Sequence, residues 1–253
     1  MSSDLEKEYL FVDAMAVKKI VKPRKTVKKP EKEVGEKRFI STGIKELDES
    51  LEGGYPSPSV ILVEGPPLSG KTHFCITFAD AGIRKGKNAI YICTNNFPEN
   101  IKEIAKSIGR NLEKAIFVDG YSWLVGKKEG ENLVSAADLT GFLEVLENVL
   151  RKEEADLVIF DSLSSLFLYN DEKNVERFLH MFTAVIKEDV DCALIVIEKG
   201  TYTESMKAVL EYITDSVILL ENNLIKLQAI KAAQPKKKEF KFEVTKKGLK
   251  IIS

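Results

Sequence analysis

The sequence predicts an α/β fold, with a mostly parallel sheet flanked by helices and antiparallel strands at the C-terminus. Three observations point there. Short apolar runs rich in β-branched residues alternate with segments whose apolar residues recur at helical spacing. A glycine-bounded loop joins the first clear strand to the helix after it, and the chain beyond residue 216 is rich in strand-forming runs. At 253 residues, 44% hydrophobic and 30% charged, the chain can bury a sizeable core, and its net charge of -1 exerts no overall pull toward nucleic acid or membrane.

Residues 1–37 stand apart. Lys18, Lys19, Lys22, Arg24, Lys25, Lys28, Lys29 and Lys32 crowd around Pro23 and Pro30, a composition that builds no core. This basic arm reads as a flexible segment: either a tether for nucleic acid or another acidic surface, or a solvated tail. The apolar Tyr9-Leu10-Phe11-Val12 within it is a candidate docking element. The domain proper covers residues 38–253. Its cysteines, Cys75, Cys93 and Cys192, lie apart in apolar contexts without metal-ligand or disulfide spacing, as reduced core thiols of a cytoplasmic protein do. No apolar run reaches the length of a membrane span, and no signal-peptide core begins the chain.

In order, residues 44–51 form a short helix stopped by Gly53 and Gly54, and a proline-bounded turn leads into the strand Ile61-Leu62-Val63. The next stretch, Gly65-Pro66-Pro67-Leu68-Ser69-Gly70-Lys71-Thr72, meets the spacing G-x-x-x-x-G-K-[ST]. Glycine lets backbone N–H groups turn toward phosphate, Lys71 can reach the β- and γ-phosphates, and the Thr72 hydroxyl can ligate Mg²⁺. A helix from His73 onward would present its positive end to the anion. His73 is itself a candidate to lie near the nucleotide, although a helix residue facing a strand is the commoner case.

Residues 88–94 read as a second buried strand, 99–108 as a helix, 115–118 as a third strand and 126–132 as a polar loop. Trp123, with Tyr121, follows the third strand and serves either as a stacking surface or as core. Leu139, Phe142, Leu143, Leu146 and Leu150 mark a helix that packs on the sheet. The run 157–160 has the continuous apolar character of a strand covered on both faces, and Asp161 ends it. A carboxylate there points to the ligand crevice of an open α/β sheet and would ligate metal beside Thr72, unless it simply caps the next helix. A helix over 174–188, with His180 on its polar side, and a strand over 193–197 follow. The tail strands 216–220, 224–230, 239–244 and 249–252 are expected to be antiparallel at the sheet edge.

The stretch STGIKELDESLEGGYPSPSVILVEGPPLSGKT resembles the lead-in and Walker A loop of the KaiC/RadA branch of RecA-type ATPases, and the likeness runs over about residues 38–253. The resemblance implies a RecA-type fold, ATP and Mg²⁺, and a nucleotide held across a subunit interface in a ring or filament. Archaeal proteins that pair with motor ATPases of the motility apparatus share the pattern, so a protein partner of that kind is implied too. Glu198 closes the strand after that of Asp161, where such proteins carry a γ-phosphate sensor.

Two departures matter more. The family's water-orienting Glu is replaced by Asn95-Asn96, and loss of a general base typically costs on the order of 10²–10⁴ in rate. Glu64, Glu99 and Asp119 are the nearby carboxylates that could be recruited instead, none of them at the matching position. The Lys-x-Arg pair that reaches a neighbour's γ-phosphate corresponds to Lys231 and Ala233, and an arginine finger is worth roughly 10³–10⁵. The expected function is therefore an ATP-binding assembly or regulatory switch with weak or absent hydrolysis. The alternative is an active DNA-dependent ATPase of the RecA/RadA recombinase class, against which residues 164–170 are short and mostly apolar.

Overall fold

The computed structural model describes residues 38–230, 235, 237–246 and 248–252. The basic arm, Lys231 and Ala233 lie outside the described residues.

The domain opens with β1 (Phe39–Ile40), α1 (Lys45–Ser50) and β2 (Tyr55–Pro56), the two strands pairing antiparallel around the helix. Asp48 explains the Ser-Thr-Gly lead-in, because its carboxylate accepts bonds from the Thr42 amide and hydroxyl at 2.7 Å each and from the Ser41 hydroxyl. Then come β3 (Ser59–Gly65), α2 (Lys71–Arg84), β4 (Ala89–Cys93), α3 (Pro98–Ser107) and β5 (Ile116–Asp119). A 3-10 turn (Ser122–Val125) precedes α4 (Leu139–Lys152), and a second one (Leu163–Leu168) separates β6 (Leu157–Asp161) from α5 (Glu172–Asp189). The chain ends with β7 (Cys192–Glu198), α6 (Glu204–Ile213), β8 (Ser216–Glu221), β9 (Leu224–Ile230), β10 (Glu239–Thr245) and β11 (Gly248–Ile252). Side-chain caps start three of the helices, with Asp138, Asp171 and Thr203 accepting from Gly141, Asn174 and Met206 amides.

These strands form one nine-stranded sheet in the order β11-β10-β9-β8-β3-β7-β6-β4-β5. It is parallel from β8 to β5 and antiparallel from β8 outward to β11. The tail thus departs from expectation at one strand. β8 lies inside the sheet, parallel to β3, because the unanticipated α6 supplies the crossover that a parallel pairing needs. That helix is short, with Met206, Leu210 and Ile213 buried at positions i, i+4 and i+7, a helical spacing that the sequence did carry.

Both faces of the sheet are covered, and strict alternation along each strand assigns its residues to a face. Ile61 and Val63, Tyr91 and Cys93, Leu157 and Ile159, and Leu194 and Val196 pack with α1, α2, α3 and the C-terminal hairpin. Leu62, Ile92, Phe160 and Ile197 pack on the other side with α4, α5 and α6. The three cysteines are free and buried, as expected, and burial pushes the Cys192 thiol up to about 12. No helix among the described residues is long and apolar enough to cross a membrane.

Candidate functional site

The same alternation builds the site. Asp161 and Glu198 continue the parity of Ile159 and Val196, so both emerge on the α2 face of the sheet at the C-terminal ends of their strands. Glu198 stands opposite Gly65 in the β7–β3 register, and its amide donates to the Ser164 hydroxyl at 2.8 Å. The Lys199 amide donates to the Gly65 carbonyl, fixing the end of β7 beside the start of the loop.

The loop from Gly65 to Gly70 is shaped by its two glycines. A Cβ at Gly65 would meet the Leu220 carbonyl oxygen at 2.3 Å, and Gly70 enters α2 at φ +92, where a side chain is strained. Lys71 folds its ammonium back over the loop, donating to the carbonyls of Gly65 at 2.8 Å and Pro66 at 2.6 Å, with the Ser69 hydroxyl at 3.4 Å. Burial lowers its pKa, against the upward pull of Glu198 and Asp161. Pro67 and Leu68 form the exposed crest of the loop. His73 is half-buried, and burial lowers its pKa, which leaves a neutral imidazole at pH 7.

Asp161 is fully buried at the centre of the arrangement, and burial raises its pKa. Hydrogen bonds from Tyr91, Thr72 and Asn95 and the charge of Lys71 act in the opposite sense. The Tyr91 hydroxyl lies 2.8 Å from Oδ2. Thr94 seals the strand ends from below, its hydroxyl donating to the Ser162 carbonyl at 2.6 Å and accepting from the Ser162 amide at 3.0 Å. Tyr91 and Thr94 were not singled out in the sequence. The signal for Tyr91 was available: a phenol within an otherwise apolar buried strand needs a polar partner.

Phosphate, Mg²⁺ and these residues are chemically compatible. A glycine-shaped loop leads into a helix N-terminus, an ammonium lies within the loop, and a carboxylate and a hydroxyl adjoin it, an oxygen-donor set suited to a hard divalent cation. Among the described residues there is no group of three or more His, Cys, Asp or Glu that could hold a metal unaided. A cation here would have to share the phosphates of a nucleotide, which is the usual manner of Mg²⁺.

The other candidates separate cleanly. Asn96 stands just before the N-cap of α3, its side-chain oxygen accepting from the Phe97 amide and the Asn100 side chain, whereas the exposed Asn95 is a donor that lowers the Asp161 pKa. The three nearby carboxylates stand in different settings. Glu64 shares the parity of Val60 and Leu62, which puts it on the opposite face from Lys71, where the Tyr202 hydroxyl donates to it at 2.5 Å. Asp119 accepts from the Tyr121 and Ser122 amides, and Glu99 is exposed in the first turn of α3. Trp123 is half-buried and meets Tyr169 edge-to-face at 5.5 Å, next to exposed Val125 and Leu168. A groove of about 670 Å³ between α1 and the C-terminal hairpin, lined in part by Glu46, Ser50, Lys237 and Phe240, shares no residue with the loop.

Comparison with known proteins places these features in a wider group. A family model described as "ATPase: KaiC" matches residues 40–253. A UPF0273 protein of Pyrococcus horikoshii is 33% identical over 140 residues, which are 52% of this chain and 57% of the relative. The circadian clock oscillator protein KaiC of Picosynechococcus is 27% identical over 228 residues, covering 84% of this chain and 44% of the relative. The match thus spans about half the length of these curated relatives. Among solved structures, a KaiC-like protein from Pyrococcus horikoshii superposes with a TM-score of 0.72 at 20% identity, over 86% of this chain and all of that one.

Proposed function

The chain belongs to the KaiC ATPase family, and from that premise we propose that it binds ATP with Mg²⁺ and works as a nucleotide-dependent assembly or regulatory switch with little or no hydrolysis. The observation that carries this reading is Asn95 at the exposed tip of β4, next to Thr94, whose amide donates to the Asp161 carbonyl at 3.0 Å. At the position where the resemblance places a water-orienting Glu there is an amide, which takes no proton from water at neutral pH.

In this reading Gly65, Pro66, Pro67, Leu68, Ser69 and Gly70 wrap the phosphates, Lys71 leaves the Gly65 and Pro66 carbonyls for the β- and γ-phosphates, and His73 borders the site. Thr72 and Asp161 hold the Mg²⁺, which neutralises phosphate charge. Glu198, beside Lys71 at the end of β7, registers whether a γ-phosphate is present, through its amide bond to Ser164. The second 3-10 turn, which contains Ser164, leads to exposed Leu168 and Tyr169 and gives that report a route to the surface. Lys231 would reach a neighbouring subunit's phosphate, so the working form is a homo-oligomer.

A second reading, the DNA-dependent ATPase, draws on one observation. The Trp123–Tyr169 pair offers aromatic edges near Lys127 and Lys128, a combination that suits stacking on single-stranded bases. ATP affinity and turnover measured on one sample, with and without single-stranded DNA, test both. Tight binding with turnover unmoved by DNA supports the switch, and DNA-stimulated hydrolysis replaces it with the second reading.

A further inference from the structure

We propose that Tyr91 is a positioning residue for the metal site, a buried phenol that fixes how Asp161 presents its carboxylate to nucleotide-bound Mg²⁺. This rests on the ATP reading above and adds a residue to it.

Tyr91 sits in the middle of β4, fully buried, its ring stacked on Phe117 with centroids 5.6 Å apart. Cys93, two residues along the same face, is the register partner of Asp161, which places the phenol one step behind that carboxylate. A tyrosine in such a strand must find a partner for its hydroxyl, and Tyr91 finds Asp161 Oδ2 at 2.8 Å. Burial, with the Asp161 charge next, raises the phenol's pKa, so it is protonated and donates.

An ionised carboxylate offers about four lone-pair positions. Tyr91 takes one of them with a bond of 2.8 Å, and Thr72 and Asn95 act on the same carboxyl as donors that lower its pKa. Thr72 can serve twice, its proton on Asp161 and its oxygen lone pair toward a cation. Tyr91 is the donor buried under the site, shielded from solvent and rigidly packed, so it sets the carboxylate plane that the other two complete. Its role resembles that of groups that orient metal ligands elsewhere, whose removal costs about 10–100-fold in metal affinity.

The test uses the full chain and Tyr91→Phe, which keeps the stacked ring. ATP binding is followed in EDTA and then across a Mg²⁺ titration, and Mn²⁺ is substituted so that bound metal is read by electron paramagnetic resonance. The variant should bind ATP in EDTA as the parent does. It should need roughly ten times more Mg²⁺ for half-maximal effect or worse, with a broadened Mn²⁺ spectrum. Asn95→Ala removes a donor from the exposed side, where folding is not at risk, and should shift the Mg²⁺ requirement in the same direction. An unchanged Mg²⁺ requirement and Mn²⁺ spectrum in Tyr91→Phe, in a parent that binds Mg-ATP, overturns this inference alone. A parent that binds no ATP at any Mg²⁺ concentration overturns the ATP reading and this inference with it.

Discussion

The Thr94 amide donates to the Asp161 carbonyl at 3.0 Å, which ties the tip of β4 to the tip of β6. The next residue, the exposed Asn95, therefore stands beside the strand end that carries the buried Asp161.

Asn95→Glu should therefore raise turnover, by at least ~10-fold given that a positioned general base typically contributes on the order of 10²–10⁴. The new carboxylate would lie beside Asp161, and like charges at that range raise pKa. Activity should climb with pH as the added group ionises. Steady-state phosphate release across pH checks both points, and a variant as slow as its parent at every pH would place the deficit elsewhere.

Asp161→Asn separates stability from binding. Burial raises the Asp161 pKa above its ordinary value, so the folded protein binds that proton more tightly than the unfolded chain does. The penalty for its charge is complete above the raised value and is relieved as pH falls through the window down to the ordinary carboxylate value. Without nucleotide the Asn variant, lacking that charge, should melt higher at pH 7 than the parent. It should also lose the added stabilisation from Mg-ATP, which for a bound ligand at a hundredfold excess over Kd is about 2.7 kcal/mol. Lys71→Ala should lose that response too. Calorimetric melts with and without Mg-ATP decide this, and a full response in either variant would remove that residue from the site.

Tyr202→Phe tests the exclusion of Glu64. The loss of the 2.5 Å bond leaves a carboxylate only 6% exposed without that donor, at a cost of about 1–3 kcal/mol. Because Glu64 faces away from Lys71, the variant should melt lower yet bind ATP with unchanged affinity. A clear change in affinity at constant stability would return Glu64 to the nucleotide.

How much of this was legible beforehand depended on whether the cause was local. The place of the loop from Gly65 to Gly70 between a strand and a helix was readable because its glycines and lysine stand at fixed spacing after an apolar run, and Asp161's place at a strand end because it closes another such run. The partners of Asp161 were not readable, since the β4–β6 register that brings Tyr91 and Asn95 to it is set by long-range pairing. Glu64 misled for the same reason: proximity in sequence to Gly65 says nothing of which face a strand residue takes, and one step of alternation put it behind the sheet. β8 was placed among the antiparallel strands because the short helix before it, although Met206, Leu210 and Ile213 carry helical spacing, was passed over, and with it the crossover.

The last prediction concerns assembly. Leu68 crowns the phosphate loop fully exposed, at 104% relative accessibility and φ +61, an apolar side chain held up to solvent by the loop that would wrap the phosphates. A nucleotide on a face met by the next subunit makes a heterologous contact, which closes into a ring or runs on as a filament. If the neighbour's Lys231 reaches the γ-phosphate, ATP favours the associated state and ADP does not, because only a ligand with differential affinity shifts such an equilibrium. With Ala233 in place of an arginine the contact is weakened, so association should be reversible and concentration-dependent. Light scattering across protein concentrations with ATP, with ADP and with neither should show growth with ATP alone. Leu68→Ser and Lys231→Ala should each move that growth to higher protein concentration. A species that stays monomeric at every concentration with ATP bound would remove the assembly switch, and ATP-driven growth indifferent to both substitutions would put the contact on another face.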